Sequence, residues 1–347
     1  MQIKQKRSIS FILLAFMLSV IVCNTVACNP DTGKESDSSN TEESSTTLHT
    51  EESKNESEDN STVNNETTNE ALIEIESETE STAETEMPVA GANTELVRDG
   101  RPHKYFTLSF DDGITQDLKI IEILNKYGVK CATFNINTGL YGANWEWVGQ
   151  TLGDPTLTHQ RFTKKELQSG IYNGFDVEVH TLNHPSLKNY DNTPSAIKRE
   201  VAGDAANIAK ITGIKPVGMA WPGGDTEYTD KTIEIILANT DIRFARATTA
   251  TNGFKLPEYF MVWTPSCSIS DHNCLDLAQQ FLDAECNEDM LFYVWGHGYE
   301  LDFYKSYDKF EQLVKMMAEA DDVVLVTNAE FYQLFKDQIP SWKKSEN

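Results

Sequence analysis

Positive charge is scarce in this 347-residue chain: 29 Lys and Arg stand against 54 Asp and Glu, for a formal net charge of −25. A protein that grips a phosphate backbone needs a basic face, so nucleic acid is excluded as a partner. A spanning apolar run is also lacking near the N-terminus, where Ile9 to Val22 has signal-peptide length and is short for a membrane helix. No glycine-rich loop follows the first predicted strand, which argues against dinucleotide or phosphate-loop chemistry. No G-x-S-x-G elbow is present, which disfavours a metal-free serine triad. Cysteines number six, and Cys131, Cys267, Cys274 and Cys286 have spacings that fit no common zinc pattern. Cys267 and Cys274 could pair in an oxidising compartment; buried free thiols are the other reading.

What is present begins with a leader. Lys4, Lys6 and Arg7 precede the apolar stretch as the positive region of an export signal does. The stretch ends at Val26-Ala27-Cys28, which resembles a bacterial lipoprotein processing site, with Thr25 where an aliphatic residue is usual. That resemblance implies a lipid anchor on Cys28 and a place on the extracellular face of the cell membrane. Plain secretion and an uncleaved anchor are the alternatives. Residues 29–95 are rich in Ser, Thr, Asn and Glu with almost no aromatics, and 18 acidic residues face two lysines between 29 and 90. Such a segment cannot bury enough apolar surface to offset chain entropy, so a disordered acidic linker is expected. The expected organisation is a signal peptide over 1–28, a linker over 29–95 and a folded domain over 96–347.

The domain alternates strands and helices. Tyr105–Phe110 predicts a strand, followed by a helix over Ile114–Tyr127 with Leu118, Ile121 and Leu124 at helical spacing and Gly128 as its stop. Further strands are predicted over 130–136, 175–180, 216–221, 243–247, 290–295 and 323–327. Helices are predicted over 163–172, 193–212, 229–239, 275–285, 307–320 and 329–335, the first opened by the capping box Thr163-Lys164-Lys165-Glu166. About seven alternations argue for a parallel α/β barrel, with an open doubly wound sheet as the alternative.

In such barrels chemistry sits at the carboxyl ends of the strands. The first strand ends in Asp111-Asp112-Gly113, whose ordinary reading alone is a turn or helix cap. The third ends in His180-Thr181-Leu182-Asn183-His184. Two histidines four apart on a single turn can face one ion, and neutral imidazole suits zinc. With Asp112 they make three protein ligands and leave a position for water, the arrangement of a catalytic rather than a structural zinc. A later strand ends in Trp295-Gly296-His297-Gly298, where flanking glycines free the backbone to aim the ring. Taken singly, it reads as a core histidine.

Taken together these motifs resemble the polysaccharide deacetylases, carbohydrate esterase family four or NodB-homology domains, over roughly Tyr105 to Phe335, as a divergent lipoprotein-type member. Phe110-Asp111-Asp112-Gly113 matches the family's first motif and His180–His184 its second. The resemblance implies a distorted (β/α)7-type barrel. It implies Asp111 as catalytic base, Asp112, His180 and His184 as ligands of a divalent metal (zinc first, cobalt or another ion otherwise), and His297 as general acid. One motif departs: where the family places an Arg before a Pro-aromatic pair, this chain has Ala220-Trp221-Pro222-Gly223-Gly224. The oxyanion donor there is a backbone N–H, which Gly223 can still supply. Arg246 on the next strand is a candidate substitute for the absent Arg, a structural ion pair being its ordinary reading. Trp221 and Trp295 could shape an acetyl pocket or belong to the core. Pro265–Ser268 and Asp271-His272 lie where the family's fourth motif varies and receive no role.

The implied function is metal-dependent removal of acetyl groups from a carbohydrate, such as N-deacetylation of a GlcNAc-type glycan like peptidoglycan or a chitin-like polymer. An O-acetyl esterase on plant polysaccharide such as xylan and a non-catalytic glycan-binding surface module are the alternatives. The expected partners are an acetylated glycan and a membrane, and the chain is expected to be a monomer.

Overall fold

The computed structural model describes residues 87–92, 95, 96 and 98–343. The expected signal peptide, lipid anchor and nearly all of the expected linker lie outside the described residues. Ordered contacts reach upstream of residue 96, where the domain was expected to begin. The Ala90 N–H donates to the Lys215 carbonyl and the Lys215 N–H to Pro88, at 2.9 and 2.8 Å.

Eight parallel strands form the sheet: β1 Lys104–Asp112, β2 Ala132–Ile136, β3 Asp176–Val179, β4 Gly218–Ala220, β5 Phe244–Arg246, β6 Cys267–Ser268, β7 Met290–Gly296 and β8 Val323–Leu325. Seven follow the order β5-β4-β3-β2-β1-β7-β6, and β8 attaches to β1. Along one edge β1 pairs with β8 at Lys104–Phe106 and then with β2 from Leu108 onward. The segment between Trp263 and Ser268 bridges the two ends of this order. Trp263 exchanges backbone hydrogen bonds with Ala245 of β5 and with Ala247 just past it, while the Ser266 N–H donates to Tyr293 on β7. The result is the distorted (β/α)7 barrel, not the open sheet.

The helices are α1 Asp117–Lys126, α2 Glu146–Leu152, α3 Lys164–Gln168, α4 Pro194–Thr212, α5 Asp230–Asn239, α6 Cys274–Asp283, α7 Gly298–Phe303, α8 Tyr307–Ala318 and α9 Asn328–Phe335. The predicted capping box forms at α3: Thr163 accepts from the Glu166 N–H, and the Glu166 side chain accepts from the Thr163 N–H. α1 differs from expectation. It begins at Asp117 because Ile114 is drawn into an antiparallel bridge with Arg161. Its core-facing residues are Ile120, Ile121, Ile123 and Leu124, while Leu118 is 52% exposed. Every residue of β1 and β2 is buried, as a parallel strand covered on both faces requires. Phe110 on β1 stacks on Phe134 of β2, and Phe134 stacks on Tyr172 at 4.6 Å. Truncating a phenylalanine in such a contact costs about 3–5 kcal/mol. At Gly218 of β4 an added Cβ would lie 1.9 Å from the Phe244 ring, so only glycine permits β4 and β5 this approach.

Candidate active site and metal centre

The carboxyl ends of β1, β3, β4, β5 and β7 meet at a cleft of about 180 Å³ lined by Asp111, Asp112, His180, His184, Gly223 and His297, among others. All six expected site residues therefore share one cavity. Asp112 is turned into it by a left-handed backbone, φ 81°. Thr181 and His184 also have positive φ, 66° and 54°. Three such residues, each costing about 1–3 kcal/mol, hold only where the surroundings over-determine them. Here Leu182 N–H donates to the Glu200 carbonyl at 3.0 Å and Asn183 Nδ2 to the Glu200 carboxylate at 3.0 Å. From the other side Asn137, just past β2, donates through Nδ2 to the carbonyls of His180 and Thr181.

One ligand-type atom from each of Asp112, His180 and His184 lies within 4.8 Å of the others. The His180 Nδ1–H donates to the Ala220 carbonyl at 2.9 Å, which leaves Nε2 with a free lone pair. That Nε2 is 3.8 Å from Asp112 Oδ1, and His184 Nε2 is 3.9 Å from the same oxygen. Burial lowers the proton affinity of both rings, with His180 adding to the effect on His184, which falls to about 3. Two neutral imidazoles and one carboxylate are a donor set that fits a divalent ion such as zinc.

Burial alone would raise both carboxyls, yet both lie below the usual range. The Arg246 guanidinium, with His180 and His297, holds Asp111 down; Arg161 and His159 hold Asp112 well down. Asp111 accepts from Arg246 on one oxygen and from Asn135 Nδ2 on the other, at 2.9 Å for the asparagine. Arg246 is fully buried, and its Cζ lies 4.2 Å from the centre of the Trp295 ring. Asp111 is thus ion-paired with an arginine from β5.

His297 Nε2 lies 3.8 Å from Asp112 Oδ2, and its Nδ1 is 3.6 Å from Glu300 Oε1, an ion-pair rather than a hydrogen-bond distance. Burial would lower this imidazole, but Glu300 and the two aspartates carry it up to about 9. Gly223 adopts φ 73°, and its N–H has no hydrogen-bond partner among the described residues. Trp221 and Trp295 both line the cleft and are buried, at 1% and 5% exposed. Asp271 accepts from the Ser268 N–H at 2.8 Å in a turn, and neither it nor His272 lines the cleft. No disulfide occurs among the described residues, and Cys267 and Cys274 are buried thiols.

Sequence reading missed His159 and Arg161. His159 Nε2 and Arg161 Nη2 each sit 2.8 Å from one oxygen of Asp112, and both residues are buried. They come from a hairpin over 142–162 that pairs Asn144 with Gln160 and is bridged through Arg161 to Ile114. A buried His and Arg two apart in an irregular loop carry no periodic signal.

The fold and site define a parallel α/β barrel with a candidate metal centre at the carboxyl ends of its strands. The family model described as Polysaccharide deacetylase matches residues 98–244. A search of curated proteins returns no match. Solved structures similar to the chain include the Xyl-CE4 domain of a multidomain xylanase from the hindgut metagenome of Trinervitermes trinervoides. Its identity is 17% and TM-score 0.43, over 70% of this chain and 95% of that one. A Streptococcus pyogenes deacetylase, PplD, in complex with acetate is similar at 23% identity and TM-score 0.33, over 46% of this chain and 62% of that one. A carbohydrate esterase family four pseudoenzyme from Bacillus anthracis is similar at 16% identity and TM-score 0.39, over 66% of this chain and 65% of that one. The chain thus spans less than two thirds of the last two.

Proposed function

We propose that this protein is a metal-dependent deacetylase that removes acetyl groups from a glycan. The match of residues 98–244 to the polysaccharide-deacetylase family model supports carbohydrate deacetylation. The observation that carries the reading is the convergence, in one cleft, of the Asp112–His180–His184 donor set with Asp111 and His297. Zinc or another divalent ion held there would supply Lewis acidity toward an acetyl carbonyl and water.

The chain's own groups divide the remaining work. Arg246 and Asn135 take one oxygen each of Asp111 and so orient it to accept a proton from an attacking water. The unbonded Gly223 N–H can donate to the oxygen that gains charge in acyl transfer. His297, in the same cleft, can hand a proton to the departing amine or alcohol. The proposed substrate is a GlcNAc-type glycan cleaved at its amide; an O-acetylated xylan would use the same residues. The proposed location is the outer face of the cell membrane through Cys28, a reading supported by the leader sequence alone.

The test is acetate release from chito-oligomers, peptidoglycan and acetylated xylan, with added zinc or cobalt and with chelator. Release that needs metal, is absent in Asp111→Asn and leaves metal binding by that variant intact is expected; His184→Ala should lose both. Undiminished release by Asp111→Asn would overturn its role. Absence of release from all three substrates by the metal-loaded protein would favour the glycan-binding module.

A further inference from the structure

Both oxygens of Asp112 have a protein donor. Arg161 Nη2 donates to Oδ1 and His159 Nε2 to Oδ2, each at 2.8 Å. Oδ1 is also the oxygen that faces the two candidate ligand rings, 3.8 Å from His180 Nε2 and 3.9 Å from His184 Nε2. A carboxylate oxygen has two lone pairs, so a metal held by these three residues would share Oδ1 with a guanidinium that cannot lose its charge.

Arg161 is itself tightly held. Its side chain is buried, the guanidinium lies 3.7 Å from the centre of the Trp145 ring, and Nη2 and Nε donate to Asn137 Oδ1 at 3.3 and 3.4 Å. Nη1 donates to His159 Nδ1 at 3.5 Å, which leaves the proton of that ring on Nε2, on the side of Asp112. The hairpin that carries both residues is closed by Trp145 N–H to the His159 carbonyl at 3.1 Å and Arg161 N–H to Ala143 at 2.9 Å.

Charge decides what this arrangement does. Asp111 has Arg246 and Asp112 has Arg161, so the two carboxylates are neutralised pair by pair. Imidazole ligands bind as neutral groups and add no negative charge. In a structural zinc site the anionic ligands depend on the ion for compensation, and metal binding is folding. Here a buried carboxylate has a permanent partner, and a divalent cation must bind beside a fixed positive charge.

We infer that Arg161 is a built-in counterion of Asp112 that sets the strength of metal binding. It fixes the ligand in place and lowers its affinity for the ion, so that the metal is exchangeable rather than part of the fold. This goes beyond the deacetylase reading and rests on the metal centre proposed there.

The experiment titrates full-length wild type, Arg161→Met and Arg161→Lys with zinc against a chelating dye, and records melting temperatures in chelator and in saturating zinc. Methionine removes the charge and lysine keeps it. Arg161→Met is expected to bind zinc about ten-fold more tightly than wild type or better, because the full charge of Asp112 becomes available. Arg161→Lys should stay within about three-fold of wild type. In chelator Arg161→Met should melt below wild type, because Asp112 is left buried without a cation, and saturating zinc should close most of that gap. A methionine variant that folds only with zinc is the same result in stronger form. Zinc affinity of Arg161→Met equal to or below wild type would overturn the inference, make Arg161 a simple support and leave the metal centre standing. Tightening by lysine as large as by methionine would also overturn it, since charge would not be the cause. So would a methionine variant that stays unfolded in saturating zinc. Failure of wild type to bind zinc would sink the metal centre and this inference together.

Discussion

Arg246 on β5 hydrogen-bonds through its guanidinium to the carboxylate of Asp111 near the end of β1, 135 residues earlier in the chain. The side chains are 0% and 3% exposed. Removing one partner of such a buried pair leaves an uncompensated charge, which costs about 3–5 kcal/mol. Arg246→Met is therefore expected to lower unfolding free energy by about that much and to lose acetate release. The double change with Asp111→Asn should recover a large part of the stability and none of the rate. Urea unfolding of the four proteins in the cycle checks this; strictly additive losses would refute the coupling.

Asn137 ties two arms of the candidate metal centre together. Its Nδ2 donates to the carbonyls of His180 and Thr181, and its Oδ1 accepts from Arg161 Nη2 at 3.3 Å, the same nitrogen that bonds Asp112. Loss of a supporting partner of this kind weakens metal binding by about 10–100-fold. Asn137→Ala is expected to show that drop in a zinc titration against a chelating dye. Zinc affinity equal to wild type would show that the ligands are held without it.

Gly223 has a backbone that side chains with a Cβ adopt at a cost of about 1–2 kcal/mol, at φ 73°. An added Cβ would also lie 2.8 Å from Glu227 Cγ. Gly223→Ala is expected to fold with a loss of about 1–2 kcal/mol and to release acetate more slowly, because the strained backbone would shift the N–H proposed to meet the oxyanion. Denaturant midpoints and acetate assays on the same preparation separate the two effects. An unchanged rate would remove Gly223 from the proposed chemistry.

Asp176 opens β3, away from the candidate metal centre, and accepts from Thr133 Oγ1 at 3.0 Å. Burial pushes its carboxyl from the ordinary 3.8 up to about 7. Between those values the folded chain holds a proton that the unfolded chain has lost. This contribution to stability is complete at low pH and disappears as pH rises toward about 7. Asp176→Asn cannot ionise and should lack that decline. Melting temperatures of the two proteins across this range are expected to converge at low pH and diverge toward neutrality in favour of the variant. Parallel curves would contradict the shift.

Much of the barrel could be read locally. Strands such as Tyr105–Phe110 and Met290–Trp295 announce themselves as apolar runs rich in aromatic residues, and Thr163 with Glu166 marks a helix start by its own chemistry. Asp111, Asp112, His180 and His184 were legible for the same reason: each motif lies within a few residues at a strand end. What lies outside that range depended on folding. β6 has two residues and α7 six, too few for a period, and β6 is a strand because the barrel's closure sets Cys267 against Val294. Leu118 continued the helical spacing yet faces solvent, because the bridge between Ile114 and Arg161 sets where α1 begins and which face it turns inward. The partners of the two aspartates, Arg246 from β5 and His159 with Arg161 from the hairpin, are assembled by strand register and loop path. Local pattern specifies periodicity and strand-end chemistry; charge pairing across more than a hundred residues exists only once the sheet has brought its edges together.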